Sequence, residues 1–369
     1  MTNIAVLIEQ NRGDTPLVRK KTRAVKAGNL IIGGGFPISV QTMWKQRLSA
    51  DSLGGVLDSL ADLNRRGCDI VRFAVPDLES ADLLGALARE STVPLVADVH
   101  FDYRIALRCL DHPIAKVRIN PGNIGAEWKA REILSKARES GISVRIGINS
   151  GSLPKNLDGE TDRAGAMVKA AESEMELLER LGFHEVVFSL KSSTIETTVV
   201  ANELFAGKYQ YPLHIGITEA GPLIPGIVKS AIGVSTLLKA GIGDTIRISL
   251  TAPPLDEVAA GVEILKSLKE RTNSVTVISC PRCGRSTFDV QSFLEQVVSD
   301  VQKIQKPLTV AVMGCPVNGP GEAKRAELGI TGSGKMAIIF RDGTIVRRVP
   351  YESAVHAFCE EMEKICENI

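Results

Sequence analysis

The runs KVRIN at 116–120, SVRIGIN at 143–149 and TIRISLT at 245–251 carry basic or polar residues at every second position. A β-strand sends alternate side chains to one face. Lys116, Arg118 and Asn120 therefore line up, as do Arg145, Gly147 and Asn149, and Arg247, Ser249 and Thr251. Five more short runs of strand type lie at 39–43, 69–75, 94–99, 185–191 and 212–219. Helical stretches rich in Ala, Leu, Glu and Lys fall at 52–66, 79–90, 103–110, 127–139, 161–181, 194–206, 223–239 and 255–269. In 161–181 the apolar residues Ala164, Val168, Ala171, Met175 and Leu178 recur at three and four, and Gly182 reads as the stop. Eight strand–helix units in succession predict an α/β protein with an N-terminal (β/α)8 TIM-type barrel. The rival is an open doubly wound sheet with a glycine-rich loop after its first strand. Gly33, Gly34 and Gly35 precede the first strand instead and read as a turn.

Beyond residue 270 the rhythm changes. Strands are expected at 275–278 and 308–313, and a hairpin at 336–340 and 344–349 around Arg341, Asp342 and Gly343. Helices are expected at 289–301 and 351–365. This β-α-β-β-β-α order predicts a separate small α/β domain. The expected division is a barrel at 1–270 and a second domain at 271–369, with residues 1–30 as an arm.

Barrel interiors are normally filled by Val, Ile and Leu. Here the strand ends also offer Arg72, Asp98, His100, Ser189, Lys191, His214, Thr218 and Glu219. A buried guanidinium without a partner is costly. The acids within reach, Asp98, Glu219 and Asp244, are too few to neutralise the set. The excess of positive charge asks for a multiply charged anion at the C-terminal barrel face, most simply a diphosphate. Arg72, Arg118, Arg145, Lys191 and Arg247 are the expected cationic contacts, with Asn149, Ser189 and Ser249 as hydrogen-bonding groups. Gly147 and Gly216 are expected to leave room for the ligand, and Lys229, early in the next helix, to close over it.

The second domain carries SCPRCGR at 279–285 and AVMGCPVNGPGEAKRAELGI at 311–330. Cys280 and Cys283 stand at CxxC spacing, and Cys315 returns from a distant segment. Three thiolates leave a four-iron cluster, or a tetrahedral zinc, one ligand short. The residues alone leave an iron–sulfur centre, a structural zinc and unligated cysteines open.

Composition narrows the classes. Of 369 residues 44% are hydrophobic and only 4% aromatic, which suits an aliphatic α/β protein rather than an aromatic nucleic-acid platform. Lys and Arg number 44 against 43 Asp and Glu, so no global field recruits nucleic acid or an anionic membrane. The basic run RKKTR at 19–23 reads as a solvated surface run. Seven scattered cysteines do not make a secreted disulfide framework. Without a long apolar segment the chain is expected to be soluble and cytoplasmic.

Taken in order, several blocks resemble the bacterial 4-hydroxy-3-methylbut-2-enyl diphosphate synthase family in its compact two-domain form. They are GGGFPISVQTM at 33–43, DIVRFAVPD at 69–77, PLVADVHFDYRIAL at 94–107, KVRINPGNIG at 116–125, YPLHIGITEAG at 211–221, VKSAIGVSTLLKAGIGDTIRISLT at 228–251, CPRCGR at 280–285 and GCPVNGPGEAK at 314–324. The resemblance implies a diphosphate-binding barrel and a C-terminal domain holding a [4Fe-4S] cluster through Cys280, Cys283, Cys315 and Glu322. It implies reductive opening and dehydration of 2-C-methyl-D-erythritol 2,4-cyclodiphosphate, with electrons from flavodoxin or ferredoxin. It further implies a homodimer in which one copy's cluster domain serves the other's barrel. On that mechanism Glu219, Asp98 and His214 are candidates for proton handling, and Glu322 yields its place on the iron. The chain departs from the family pattern at Trp44–Leu48, WKQRL, where small polar residues are usual; Trp44 is expected to cover the pocket or meet a neighbouring subunit. Two other classes remain: an anion-binding barrel aldolase or isomerase with structural zinc, and a non-enzymatic iron–sulfur scaffold. Metal analysis and substrate calorimetry separate them.

Overall fold

The computed structural model describes residues 17–120, 125–315 and 326–368. They form two compact units divided between Glu270 and Arg271. The first opens with an antiparallel hairpin, β1 (Val25–Ala27) and β2 (Leu30–Ile32). Strand–helix units follow: β3 (Ser39–Met43), α1 (Leu53–Arg65), β4 (Ile70–Ala74), α2 (Leu78–Glu90), β5 (Leu95–Asp98), α3 (Tyr103–Cys109), β6 (Lys116–Ile119) and α4 (Glu127–Ser140). They continue with β7 (Ser143–Asn149), α5 (Arg163–Arg180), β8 (Val186–Lys191), α6 (Ile195–Lys208) and β9 (His214–Ile215). The circuit ends with β10 (Gly221–Pro222), α7 (Leu223–Lys239), β11 (Thr245–Ile246), β12 (Leu250–Thr251) and α8 (Pro254–Ser267).

Strands β3 to β8 pair in parallel in sequence order, and β11 joins β3 to β9. The ring closes where Phe188 of β8 bridges Leu213, with the Phe188 N–H donating to the Pro212 carbonyl at 3.0 Å. This is the expected eight-stranded barrel wrapped by eight helices. Two expected strands are much shorter than 212–219 and 245–251. At Gly216, φ is +152° and the Arg247 carbonyl oxygen lies 2.2 Å from where a Cβ would stand. The chains are too close there for a regular ladder. One bond, Arg247 N–H to the Ile215 carbonyl at 3.1 Å, carries on past the strands, and the short parallel pair β10–β12 resumes at the mouth.

The arm expected at 1–30 is a plug over its described part. Val25, Ala27 and Ile32 are fully buried against Ile70, Val96, Ala115 and Val187, which shuts the end of the barrel where the strands begin. Each such side chain removed from water contributes about 1.5–3 kcal/mol. The apolar piece at 4–8 lies outside the described residues. The run 19–23 is solvated in part: Lys20, Lys21 and Arg23 are exposed, but it is also tied to the barrel. Arg19 pairs with the buried Asp244 at 2.8 Å, Thr22 donates to the same carboxylate at 3.0 Å, and Arg23 lies 4.6 Å over the Tyr211 ring. Asp244 thus ties the plug to the barrel floor and is spent there.

The second unit has one five-stranded sheet in order, β13 (Val275–Ser279), β14 (Leu308–Met313), β15 (Leu328–Ser333), β16 (Met336–Arg341) and β17 (Thr344–Pro350). The first three strands are parallel and the last two antiparallel. Helices α9 (Val290–Lys303) and α10 (Ala354–Asn368) pack against it. The sequence reading lacked β15, which carries Gly329 and Gly332 and so shows little strand pattern. Gly329 pairs with Phe340, and a Cβ there would lie 2.0 Å from that ring. The aromatic ring covers the glycine and replaces the missing side chain. Asp342 and Gly343, both at positive φ, make the tight hairpin turn.

Truncating the plug tests its weight. Ile32→Ala is expected to lower the stability of the barrel unit by about 2–5 kcal/mol in urea unfolding.

Candidate functional site: a cationic cleft at the barrel mouth

Arg72, Asp98, His100, Arg118, Arg145, Asn149, Ser189, Lys191, Ile217, Thr218, Arg247 and Ser249 line one cleft of about 110 Å³. Parallel register builds it. Asp98 stands opposite Arg118, Arg118 opposite Arg145, and Asn149 opposite Lys191. Asp98, Asn149 and Lys191 end their strands, while Arg72, Arg118, Arg145 and Ser189 lie within theirs. Glu219 falls on an exposed turn beyond β9 at φ +51°, Lys229 is exposed on α7, and His214 is fully buried; none of the three lines this cleft. The two glycines make room for protein rather than ligand. A Cβ on Gly147 would lie 2.7 Å from Arg118 Nε, and one on Gly216 would lie 3.1 Å from Lys191 Nζ.

Five cations face the cleft and two carboxylates answer them. Asp98, almost wholly buried, takes Arg118 Nη1 at 3.0 Å and Arg72 Nε at 3.5 Å. Glu257, on the first turn of α8 and buried outside the cleft, takes Arg247 Nη2 at 3.0 Å. Among the described residues no carboxylate pairs with Arg145, Lys191 or Lys116. Burial alone would raise the Asp98 carboxyl, but Arg72, His100, Arg118 and Arg145 together hold it below the usual range. Burial pulls Arg72 down to about 10 despite Asp98. Burial, then like charge from neighbouring arginines, pushes Arg145 and Lys191 well below their usual values. Lys116 and His214, in the layer beneath, are lowered for the same reasons. Such a site is charged against its own interest until an anion enters.

The second unit places its cysteines at one sheet end. Ser279 pairs with Val312, and the Cys280 N–H donates to the Val312 carbonyl at 3.0 Å. Cys280 thus follows β13 as Cys315 follows β14. Cys283 lies in the turn after Cys280, closed by Ser286 N–H on the Cys283 carbonyl at 2.9 Å. None of these cysteines is in a disulfide; Cys283 is exposed, Cys280 half-buried and Cys315 buried. Thiols gathered at one edge suit a soft-ligand metal group. Among the described residues no three His, Cys, Asp or Glu side chains are close enough to hold a metal ion. Glu322 lies outside the described residues.

Comparison with known proteins fits both units. The GcpE TIM-barrel domain model matches residues 22–262, and the GcpE protein C-terminal domain model matches 276–364. The chain belongs to the GcpE family. It is 50% identical over 332 residues to the 4-hydroxy-3-methylbut-2-en-1-yl diphosphate synthase (flavodoxin) of Treponema pallidum, covering 87% of this chain and 82% of that one. It is 46% identical over 350 residues to the synthase of the same name from Geobacter sulfurreducens, covering 94% and 99%. Dihydropteroate synthase from Xanthomonas albilineans superposes with a TM-score of 0.50 at 10% identity, covering 67% of this chain and 97% of that one. That likeness concerns the barrel fold alone.

Two residues at this GcpE-family cleft, His100 and Glu257, were given no contact role from the sequence. His100 lines it, with Nε2 2.8 Å from Arg118 Nη1. Glu257 had a signal, an acid in the first turn of the last barrel helix, but its reach to Arg247, just past β11, needed coordinates. Trp44 does not line the cleft and is half-buried. It stacks on Phe73 of its own barrel, centroids 5.7 Å apart. No helix among the described residues is long and apolar enough to cross a membrane.

Asp98→Asn removes the shared counter-charge of two buried guanidinium groups. It is expected to destabilise the barrel unit by about 3–5 kcal/mol, read by chemical unfolding, with inorganic pyrophosphate recovering part of the loss.

Proposed function

We propose that the chain reduces 2-C-methyl-D-erythritol 2,4-cyclodiphosphate to (E)-4-hydroxy-3-methylbut-2-enyl diphosphate, a step of non-mevalonate isoprenoid synthesis. Two electrons and two protons enter, the ring C–O bond breaks and water leaves. The observation that carries this reading is the cleft itself, five cations, three of them buried, against two carboxylates. The names of the GcpE relatives agree with it.

The arginines would grip the two linked phosphates, since a guanidinium offers a planar fork to phosphate oxygens. Asn149, Ser189 and Ser249 would add hydrogen bonds at the rim. As the ring opens, negative charge grows on the departing diphosphate. Donors already fixed in a dry cleft stabilise that charge without reorganising. Burial and the neighbouring arginines weaken the hold of Lys191 Nζ on its proton; an anion beside it would strengthen that hold and be faced by an ammonium. Asp98, kept ionised by its neighbours, orients Arg72 and Arg118 rather than giving up a proton. Glu219, at the rim on a left-handed turn, is the acid proposed to meet the substrate hydroxyls. Lys229 is the proposed outer contact, and His214 supports the cleft from below.

Cys280, Cys283, Cys315 and Glu322 would hold a [4Fe-4S] cluster, with a carboxylate as the exchangeable fourth ligand. When bound, such a group supplies single electrons and an iron that polarises the C3 oxygen. Flavodoxin or ferredoxin is the proposed electron donor. A homodimer, with one copy's second unit serving the other's barrel, is the proposed assembly. The outer faces of α6 and α7 support an interface between copies, since they expose Val200, Leu204, Ile224, Val228 and Ile232.

Three measurements check the reading. Anaerobic turnover of the cyclic diphosphate with a chemical reductant should yield the linear product, and Arg118→Ala should raise KM at least about tenfold, the loss of one charge-assisted contact. Cys315→Ser should lose most iron and sulfide after anaerobic reconstitution. The Lys191 shift sets a sign for pH. Its value is lowered in the empty cleft and rises beside the anion, so binding takes up protons between the two values. Affinity for pyrophosphate should therefore fall as pH rises through that window, with proton uptake read from calorimetry in buffers of different ionisation heat. Lys191→Met should flatten that dependence.

A further inference from the structure

The WKQRL loop that departs from the family pattern puts a lysine behind the cleft. Lys45 Nζ donates to the Leu250 carbonyl at 2.8 Å and to the Ala252 carbonyl, and pairs with Glu257 Oε1 at 3.1 Å. All three donors of the ammonium are thereby used. Glu257 is a hub whose side chain is wholly buried. Oε1 also accepts from Arg247 Nη2 at 3.0 Å and from the Leu250 N–H at 3.0 Å, and Oε2 accepts from Thr42 at 2.7 Å. Arg247 reaches the cleft between this carboxylate and Ser249, to which Nη1 donates at 2.7 Å.

One carboxylate therefore serves two cations. Had Glu257 only Arg247 for company, the pair would be neutral and the guanidinium would draw an anion weakly. With Lys45 sharing the carboxylate, one positive charge is left over on the cleft side. The same ammonium pins the carbonyls of the segment running from Ser249 to Ala252, and so holds Ser249 and Arg247 in place. We infer that Lys45 is a positioning residue, which by sharing Glu257 leaves net positive charge on the cleft side and keeps Arg247 aimed at the anion. Lys45 does not line the cleft, so its effect is exerted through other groups. The inference rests on the diphosphate reading of the cleft.

The test uses the full chain and two readouts. Lys45→Gln keeps a donor for the carbonyls and removes the charge; Lys45→Arg keeps both. Calorimetry with inorganic pyrophosphate should show about tenfold weaker binding for Lys45→Gln. Binding to Lys45→Arg should stay within about threefold of the parent. Turnover of the reconstituted protein should show the same rise in KM with kcat nearly unchanged. In a Glu257→Gln background the Lys45→Gln change should have little further effect, since the shared carboxylate is gone. Equal pyrophosphate affinity for the parent and Lys45→Gln would overturn the inference and leave the cleft reading intact. Failure of the parent itself to bind pyrophosphate would overturn the cleft reading. A fall in kcat alone, or no rescue by arginine, would mark Lys45 as a fold contact only.

Discussion

Five cations share the mouth of a barrel that is closed below by apolar side chains, and their mutual repulsion constrains everything around them. Water cannot approach from the plugged end, so the charge must be answered by carboxylates, by protons leaving the lysines, or by an anion from above. Asp98 reaches both Arg72 and Arg118, and Glu257 reaches both Arg247 and Lys45. Lys191 and Lys116 are held well below their ordinary values. The remaining imbalance is a binding site.

This arrangement separates holding from reacting. Buried carboxylates that pair with guanidinium groups cost desolvation, and in a protein built only for stability apolar residues would serve as well. Here the pairs fix the direction of Arg72, Arg118 and Arg247 before anything binds, so less ordering is left for the ligand to impose. The glycines act in the same cause. Gly147 and Gly216 carry no side chain because Arg118, Lys191 and the Arg247 backbone occupy that space. Pocket shape is thus set by protein packed against protein.

Much of this was legible in the sequence. Alternation put Lys116, Arg118 and Asn120 on one face of their strand, and Arg145, Gly147 and Asn149 on one face of theirs, because strand period is local and robust; which residues stand beside each other needed the register. The eight-unit rhythm supplied the barrel for the same reason. The missing parts depend on contacts between distant segments. Glu257 belongs to a helix, yet serves a strand, a loop lysine and Thr42. The plug looked like an arm because a three-residue strand has no period to read. Strand β15 was hidden by glycines whose absent side chains are replaced by Phe340 and Phe288 from elsewhere. Trp44 looked like a lid because its stacking partner, Phe73, lies on the next strand.

The hairpin at the barrel floor has a further consequence, for the order in which the chain can settle. Its residues are made long before Val187, against which they bury. Until β8 exists the hairpin has only part of its socket, and its apolar side chains stay available to any other hydrophobic surface. Contacts spanning so much sequence form slowly. Nascent barrels are therefore most vulnerable to aggregation in the interval between synthesis of β2 and synthesis of β8, and a chaperone that shields short apolar segments would act there.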